Sequence, residues 1–487
     1  MNGLKMFTVV GLALFAGAAW GQVEVEWERM FGGGSESCSG LISTADIGFA
    51  LGGTSHSFED GRRAFRLVRT DENGDSLWAK TFTNGIRSIC EDVIQTADGG
   101  FALVGETTDT MGLLDSWLVK TDDEGNLLWE RSYGKPNDSE ICSSIIQTSD
   151  GGFAMAGYCD SNINRNTGFW FLRIDEFGDS LWLRTFNTGR REECRSLIQT
   201  ADGGFALGGV TLSDSGFDMQ IIRTDENGES LWLRTYGSRD NSEICSSLIQ
   251  TLNGGFALAG YSVPYEARNS EFFVVCTDSA GDSLWSKTFG GHEDEYCRSL
   301  IQTKDGGFLL AGTTQSFGAG WYDIWLVRTD GRGDSLWSVA FGRDSSETCN
   351  SVVQTVDGGF ALAGSSSSFW ERGTVVYILK TTPDPVSVRN PVSPLTPSTL
   401  LLALAYPNPF NSTTRIEFGL SKLALTRVQI FDPLGRRVAD LMPPGTTALR
   451  EGKHSVVWNA TGVPAGEYLI RLQAGEQSQA TSVQVVK

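Results

Sequence analysis

The sequence predicts an all-β chain: a seven-bladed β-propeller with four-stranded blades, its N-terminal strand closing the last blade, followed by a small β-sandwich. Three observations predict this. A Phe-Ala-Leu-x-Gly motif occurs seven times, at Phe49, Phe101, Phe153, Phe205, Phe256, Phe308 and Phe360, with spacings of 52, 52, 52, 51, 52 and 52 residues. A period that regular is one supersecondary unit copied along the chain. Seven tryptophans, Trp27, Trp78, Trp129, Trp182, Trp232, Trp285 and Trp337, form a second series displaced within the repeat. After a Pro-rich stretch at 382–397 the period is gone.

The unit from Cys90 to Gly134 shows how one repeat is built. Cys90 to Thr96 is a short apolar-rich run, and Thr96-Ala97-Asp98-Gly99-Gly100 is turn chemistry, because glycine accepts positive φ and aspartate bonds its own backbone. Phe101 to Gly105 is a second strand and a polar loop follows. Ser116 to Thr121 is a third strand, Asp122 to Asn126 a tight turn, and Leu127 to Tyr133 a fourth strand. Four short strands joined by turns form one antiparallel blade. A Gly-Gly pair leads into six of the Phe motifs, and Ile47-Gly48 leads into the first. Single conservative changes occur at Met155 and Leu309.

The first tryptophan, in Val25 to Phe31, precedes the first Phe motif, and after Val375 to Lys380 no fourth strand follows. The N-terminal strand therefore supplies what the seventh blade lacks, leaving no unpaired edge between first and last blades. Residues 1–21 have the form of a secretory signal: Lys5, a short apolar run from Met6 to Ala19, and Ala19-Trp20-Gly21 as the cleavage site. About 14 apolar residues fall short of the ~20 needed to span a bilayer, so no membrane span is expected in the mature chain.

The formal charge is −20; residues 398–487 carry nine Lys/Arg against six Asp/Glu, leaving −23 on the rest. That excludes nucleic acid as a partner, since phosphates need a basic footprint. Seven of the nine cysteines, Cys38, Cys90, Cys142, Cys194, Cys245, Cys297 and Cys349, occupy one repeat position. They are expected to be small packing residues on the innermost strand. Cys159 and Cys276 fall outside the pattern and are expected to be free thiols. The spacings of a metal site are absent, and no cofactor motif is present.

The domain boundaries expected are 1–21 for the signal peptide, 22–381 for the propeller, 382–402 for the linker and 403–487 for the second module. That module contains short strand-like runs at Thr414 to Phe418, Val428 to Asp432, His454 to Trp458 and Gly466 to Leu472. Its motifs are Tyr406-Pro407-Asn408-Pro409-Phe410-Asn411, Val428-x-Ile430-x-Asp432-x-x-Gly435-Arg436, Gly452-x-His454-x-Val456-x-Trp458-Asn459 and Pro464-Ala465-Gly466-x-Tyr468. In this order they resemble the C-terminal sorting domain of type IX secretion substrates, which is also similar to the Ig-like domain of flagellar hook-capping proteins. The resemblance covers about a sixth of the chain. It implies an Ig-like fold, export across both membranes with the type IX machinery as partner, and release or attachment at the cell surface. Asn459-Ala460-Thr461 departs from the Asn-Gly-x-Asp that many members carry there.

Function is expected where the repeats differ. Strand order puts the loops between second and third strands, and the blade-to-blade connections, on one variable face. There Tyr265, Arg268, Trp321, Tyr322, Trp370 and Arg372 are candidate ligand contacts for a surface glycan or peptide. A glutamate stands two residues before the cysteine in six blades, at Glu36, Glu140, Glu192, Glu243, Glu295 and Glu347, with Ser88 in the other. These are expected to form an acidic collar at the channel mouth, open to a cation or basic partner, or to accept backbone N–H groups. No Ser-His-Asp set or phosphate loop is visible among three histidines. The leading expectation is a monomeric, non-catalytic binding module. A glycan-active hydrolase or lyase using loop carboxylates is the alternative, and a structural surface component the third.

Overall fold

The computed structural model describes residues 23–485 except 57–60, 86, 109–111, 136–137, 162–166, 215, 267–268, 370–372, 389–399, 407–411, 421–423, 433–435, 443–446, 451 and 475–476. The expected signal peptide, Arg268, Trp370 and Arg372 lie outside the described residues. The chain divides into two compact units, residues 1–390 and 391–487.

The first unit holds seven four-stranded antiparallel sheets. Blade 1 runs Ser35–Ser43, Phe49–His56, Arg63–Thr70 and Ser76–Phe82. Blades 2 to 6 repeat this order at 88–133, 138–186, 192–236, 241–289 and 295–341. Blade 7 is Glu347–Gln354, Phe360–Ser366 and Val375–Thr381, completed by Val25–Phe31 from the N-terminus. That clasp pairs antiparallel with Val375–Thr381, Val25 opposite Thr381 and Phe31 opposite Val376. Its charges fasten it: Glu26 pairs with Lys380, and Glu28 with Arg343 while accepting the Tyr377 hydroxyl. Each inner strand touches the next, and the seventh touches the first, so the ring closes around a central channel.

The two repeated aromatic series meet between blades. Each outer-strand tryptophan packs against the motif phenylalanine of the next blade, from Trp27 on Phe49 at 5.9 Å to Trp337 on Phe360 at 6.4 Å. Trp78 meets Phe101 at 5.8 Å and Trp285 meets Phe308 at 5.7 Å, both edge-to-face, the geometry ring quadrupoles favour. The core is thus a ring of interblade seams.

The face carrying the two short turns of each blade is held by repeated polar devices. In Thr96–Gly100 the Thr96 N–H donates to the Gly100 carbonyl and Gly99 takes φ +88°. In blade 1 the equivalent position is Ile47, at φ +76°, a left-handed conformation that a β-branched side chain opposes. The turn aspartate pairs with a buried cation on the third strand: Asp46 with Arg69, Asp98 with Lys120, Asp150 with Arg173, Asp202 with Arg223, Asp305 with Arg328 and Asp357 with Lys380. Blade 5 changes both partners together, to Asn253 and Cys276, which accounts for one of the two unpatterned cysteines. Glutamines tie neighbouring turns: Gln95 accepts the Ala45 N–H at 2.9 Å and Gln147 the Ala97 N–H at 2.7 Å.

Propeller packing continues past the last strand. Asp384 is fully buried, bonded to Arg328 at 2.9 Å and to the Trp337 indole N–H at 3.1 Å. A single helical turn, Pro385–Val388, follows inside the segment read from sequence as linker; proline suits a first helical position.

The second unit contains a three-stranded sheet of Leu400–Tyr406, Thr413–Leu420 and Gly452–Asn459. A second sheet is ordered Arg437–Asp440, Ala424–Phe431, Gly466–Ala474 and Gln477–Val485, with Thr447–Leu449 also paired to Ala424–Phe431. Ile416, Phe418, Val428, Ile430, Trp458, Ile470 and Val483 from both sheets form one buried cluster, as alternation on sandwich strands requires. Tyr468 stands edge-on to Trp458 at 5.5 Å.

Candidate functional site

The seven ring cysteines and the last glycine of each Phe motif build one repeated device. Cys38 lies opposite Gly53 and Gly40 opposite Gly52, so residue 39 is inserted as a β-bulge. The same register shift follows Cys90, Cys142, Cys194, Cys245, Cys297 and Cys349. Each cysteine thiol donates to the carbonyl two residues on, at 3.4–3.7 Å, bridging the bulge. At the facing glycines 53, 105, 157, 209, 260, 312 and 364, an added Cβ would fall 1.8–2.0 Å from the carbonyl oxygen before the cysteine. Only glycine lets the two backbones approach that closely. Burial pushes the thiols up, to about 12 at Cys38, Cys245 and Cys349, so they are inert packing groups. All nine cysteines, Cys159 and Cys276 included, are free.

The bulge decides what the channel displays. Its inserted residues are Ser39, Glu91, Ser143, Arg195, Ser246, Arg298 and Asn350. They sit on the innermost strands, half-buried or exposed, beside fully buried cysteines, so they open on the channel. Bulges re-aim side chains in this way. Three blades carry serine here and three carry a charge. The residue before the cysteine varies too: Ser37, Ile89, Ile141, Glu193, Ile244, Tyr296 and Thr348.

Two sectors result. In blades 2 to 4, Glu193 is held by Arg191 at 2.8 Å and Arg195 at 2.8 Å. Glu106 is buried and pairs with Arg87 at 3.4 Å. Glu91 faces the channel yet is walled by protein; desolvation first and the Glu106 charge second push its pKa up to about 7, with Arg195 opposing. Half-buried Tyr158 completes this sector, within electrostatic reach of Glu91, Glu106, Glu193 and Arg195. In blades 5 and 6, Tyr261 and Tyr296 stand edge-to-face with centroids 5.0 Å apart. The Arg298 guanidinium lies 5.9 Å from each ring.

Of the loop candidates, Trp321 is 76% exposed and Tyr265 47%. The Trp321 N–H donates to the Ser345 carbonyl at 2.7 Å, and the Tyr322 carbonyl accepts the Glu347 N–H at 2.8 Å. Tyr265 crosses to blade 4, its hydroxyl resting over Gly216. Tyr322 is within electrostatic reach of Tyr296, so blades 5 and 6 join a loop candidate to the channel wall. These residues and the channel tyrosines share one face and one sector.

The six glutamates expected as a collar lie at the variable-face end of the inner strands, but between blades. Glu140, Glu192, Glu243, Glu295 and Glu347 are at most 2% exposed and Glu36 7%. Each of the five accepts a backbone N–H from the connection entering its own blade: Lys135 at 3.1 Å, Thr188 at 2.9 Å, Ser238 at 3.3 Å, Gly291 at 2.9 Å and Arg343 at 2.7 Å. Glu36 instead takes the Ser55 hydroxyl at 3.3 Å, with Arg66 3.8 Å away. Burial raises the pKa of Glu36, Glu140 and Glu243. Ser88, in the blade without the glutamate, donates to the Asn84 carbonyl of the same connection at 2.8 Å. This is the backbone-capping arrangement.

Sequence reasoning passed over Glu91, Glu193, Arg195, Tyr261, Tyr296 and Arg298. For all but Tyr261 a signal was present: the positions flanking an unvarying cysteine differ among the blades.

Among the described residues no helix is long and apolar enough to cross a membrane. No curated protein matches this chain. Many solved structures are similar to it. A fungal alcohol oxidase in complex with copper is 10% identical, with 96% of this chain and 100% of that one covered and a TM-score of 0.47. Sqt1 from Chaetomium thermophilum is 12% identical, with 73% and 98% covered and a TM-score of 0.43. The β-propeller domain of the Trilobed protease from Pyrococcus furiosus is 12% identical, with 71% and 93% covered and a TM-score of 0.41. Residues 404–487 match the family model described as a secretion system C-terminal sorting domain. The chain is therefore a β-propeller protein that carries a type IX secretion C-terminal sorting domain.

Proposed function

We propose that this protein is an exported, non-catalytic binding module whose ligand enters from the variable face and contacts the channel wall in blades 5 and 6. The observation that carries this reading is the placement of divergence. The seven blades copy one another in cysteine, glycine, tryptophan and phenylalanine, and differ at the two channel-facing positions beside each cysteine. Selection for a ring alone would leave no reason to set guanidinium, carboxylate and phenol groups there, since serine fills the same bulge in three blades. The sorting domain supports export by the type IX route; release or surface attachment after its removal belongs to the proposal.

A second reading is favoured by one sector. Glu91, with its raised proton affinity, shares this sector with Glu193, which is clamped between two arginines, so two carboxyl groups in different surroundings line one wall. That is the outline of a glycan-active hydrolase or lyase. A glycan and peptide array probed with residues 22–487, with hydrolysis followed on the same panel, separates the two. Binding without turnover is expected. Turnover that is lost in Glu91→Gln would replace the binding reading with the catalytic one, and an array with neither would leave a structural surface component. Mass spectrometry of exported protein should show the C-terminus truncated within or after the linker.

A further inference from the structure

Arg298 is the one charged residue of the bulge ring that no carboxylate among the described residues pairs with. Arg195 has Glu193, and Glu91 lies in the field of Arg195. Arg298 has only the two tyrosine faces. A guanidinium without a counter-charge and two crossed aromatic rings thus meet where blades 5 and 6 line the channel. A guanidinium fits a carboxylate, and one that faces an open channel with only aromatic neighbours points to an anion that comes from outside.

Resting on the binding reading above, we propose that this sector binds an acidic sugar, a hexuronate unit of an oligosaccharide. Its carboxylate pairs with Arg298, and its C–H face packs on Tyr261 and Tyr296. A planar guanidinium fits a carboxylate through two parallel hydrogen bonds. The rest of the channel selects against a polyanionic peptide. In the opposite sector Arg87, Arg191 and Arg195 are already taken by Glu106 and Glu193, so none of these cations awaits a second carboxylate, while Glu91, Glu106 and Glu193 can accept hydrogen bonds from sugar hydroxyls. One carboxylate among many hydroxyls is the composition that satisfies both sectors.

The test is titration calorimetry of residues 22–487 with a linear oligogalacturonate of four units. Its methyl ester and a tetraglutamate peptide are run in parallel. The acid form should bind, with the ester and the peptide at least tenfold weaker. Arg298→Ser should lose at least tenfold in affinity for the acid form. Its melting temperature should hold, since serine occupies this bulge in three other blades. Arg298→Lys, which keeps the charge and loses the fork, should fall between. Equal binding of acid and ester, or binding indifferent to Arg298→Ser, overturns the acidic-sugar assignment while leaving a binding module in place. Preference for the peptide overturns it in favour of a peptide partner. Absence of binding to all three overturns it as well, and the array above then decides whether the module binds anything.

Discussion

The propeller's two faces are made by the same strands, yet one is copied from blade to blade and the other is not. On the turn face, six of seven blades repeat a turn carboxylate and a buried third-strand cation, and among the described residues glutamines tie four of the turns to their neighbours. Toward the variable face the inner strands present serine, glutamate, arginine or asparagine at one bulge position. The difference separates two kinds of constraint. Repetition marks what the ring needs in order to close; in the proposed function, divergence marks what the ring is used for. Even the exception on the turn face obeys this, because blade 5 exchanges both members of its pair rather than one.

Substitutions on either face should separate the two constraints. The largest effect is expected at Arg328, which is fully buried between Asp305 and Asp384. Arg328→Met leaves the buried Asp384 without its counter-charge, at a cost of about 3–5 kcal/mol. Denaturant unfolding of the propeller should show it, whereas ligand binding by protein that is still folded should not change. A smaller gain is expected at Ile47, the one non-glycine residue with positive φ among the described residues. Ile47→Gly restores the residue type of the other six turns and should stabilise by about 0.5–1 kcal/mol, the left-handed strain relieved less the entropy glycine adds to the unfolded chain. An unchanged unfolding midpoint would show that the turn absorbs the strain elsewhere.

In blade 5, Asn253→Asp and Cys276→Arg together should recreate the missing pair. A double-mutant cycle read by thermal unfolding should give favourable coupling of about 0.5–1 kcal/mol, because the turn carboxylate is largely solvated in the blades that have it. Zero coupling would mean that the joint exchange is coincidence. The smallest effect concerns pH. The folded carboxyl of Glu91 holds its proton up to about 7, above the ordinary carboxylate value of 4.5. The folded state therefore binds more protons than the unfolded one between those limits, so this residue makes stability fall as pH rises from 4.5 through 7. Glu91→Gln should flatten that part of the melting-temperature profile. An identical slope in the variant would place the titration elsewhere, at Asp92 for example, whose pKa burial pushes up to about 6.

Much of the fold was legible because period and turn chemistry are local properties. The spacing of Phe49 to Phe360 fixes the number of blades, and Trp27 standing ahead of the first motif identifies the clasp. That tryptophan and phenylalanine touch across blades was not legible, since neither series states its partner. The channel was harder still. A sequence does not announce a bulge, and without it residues 39, 91, 195 and 298 fall on no particular side of a strand. The glutamates were open to a parity argument. Glu36 and Cys38 are two apart on one strand and share a face, so a cysteine buried between blades takes the glutamate there with it. The contacts at Arg298 depend on Tyr261, 37 positions earlier in another blade, and only the closed ring brings them together.

The proposed function depends on the assignment of the charged bulge residues to a ligand and not to the ring. It is tested most directly by thermal unfolding of Glu91→Ser, Arg195→Ser and Arg298→Ser combined in one chain, each exchanged for the residue three blades already carry at that position. A folded propeller melting within about 3 °C of the parent is expected, the equivalent of one or two kcal/mol at most for a ring of this size. Loss of the folded state, or a fall several times larger, would contradict it by showing that these charges hold the ring together.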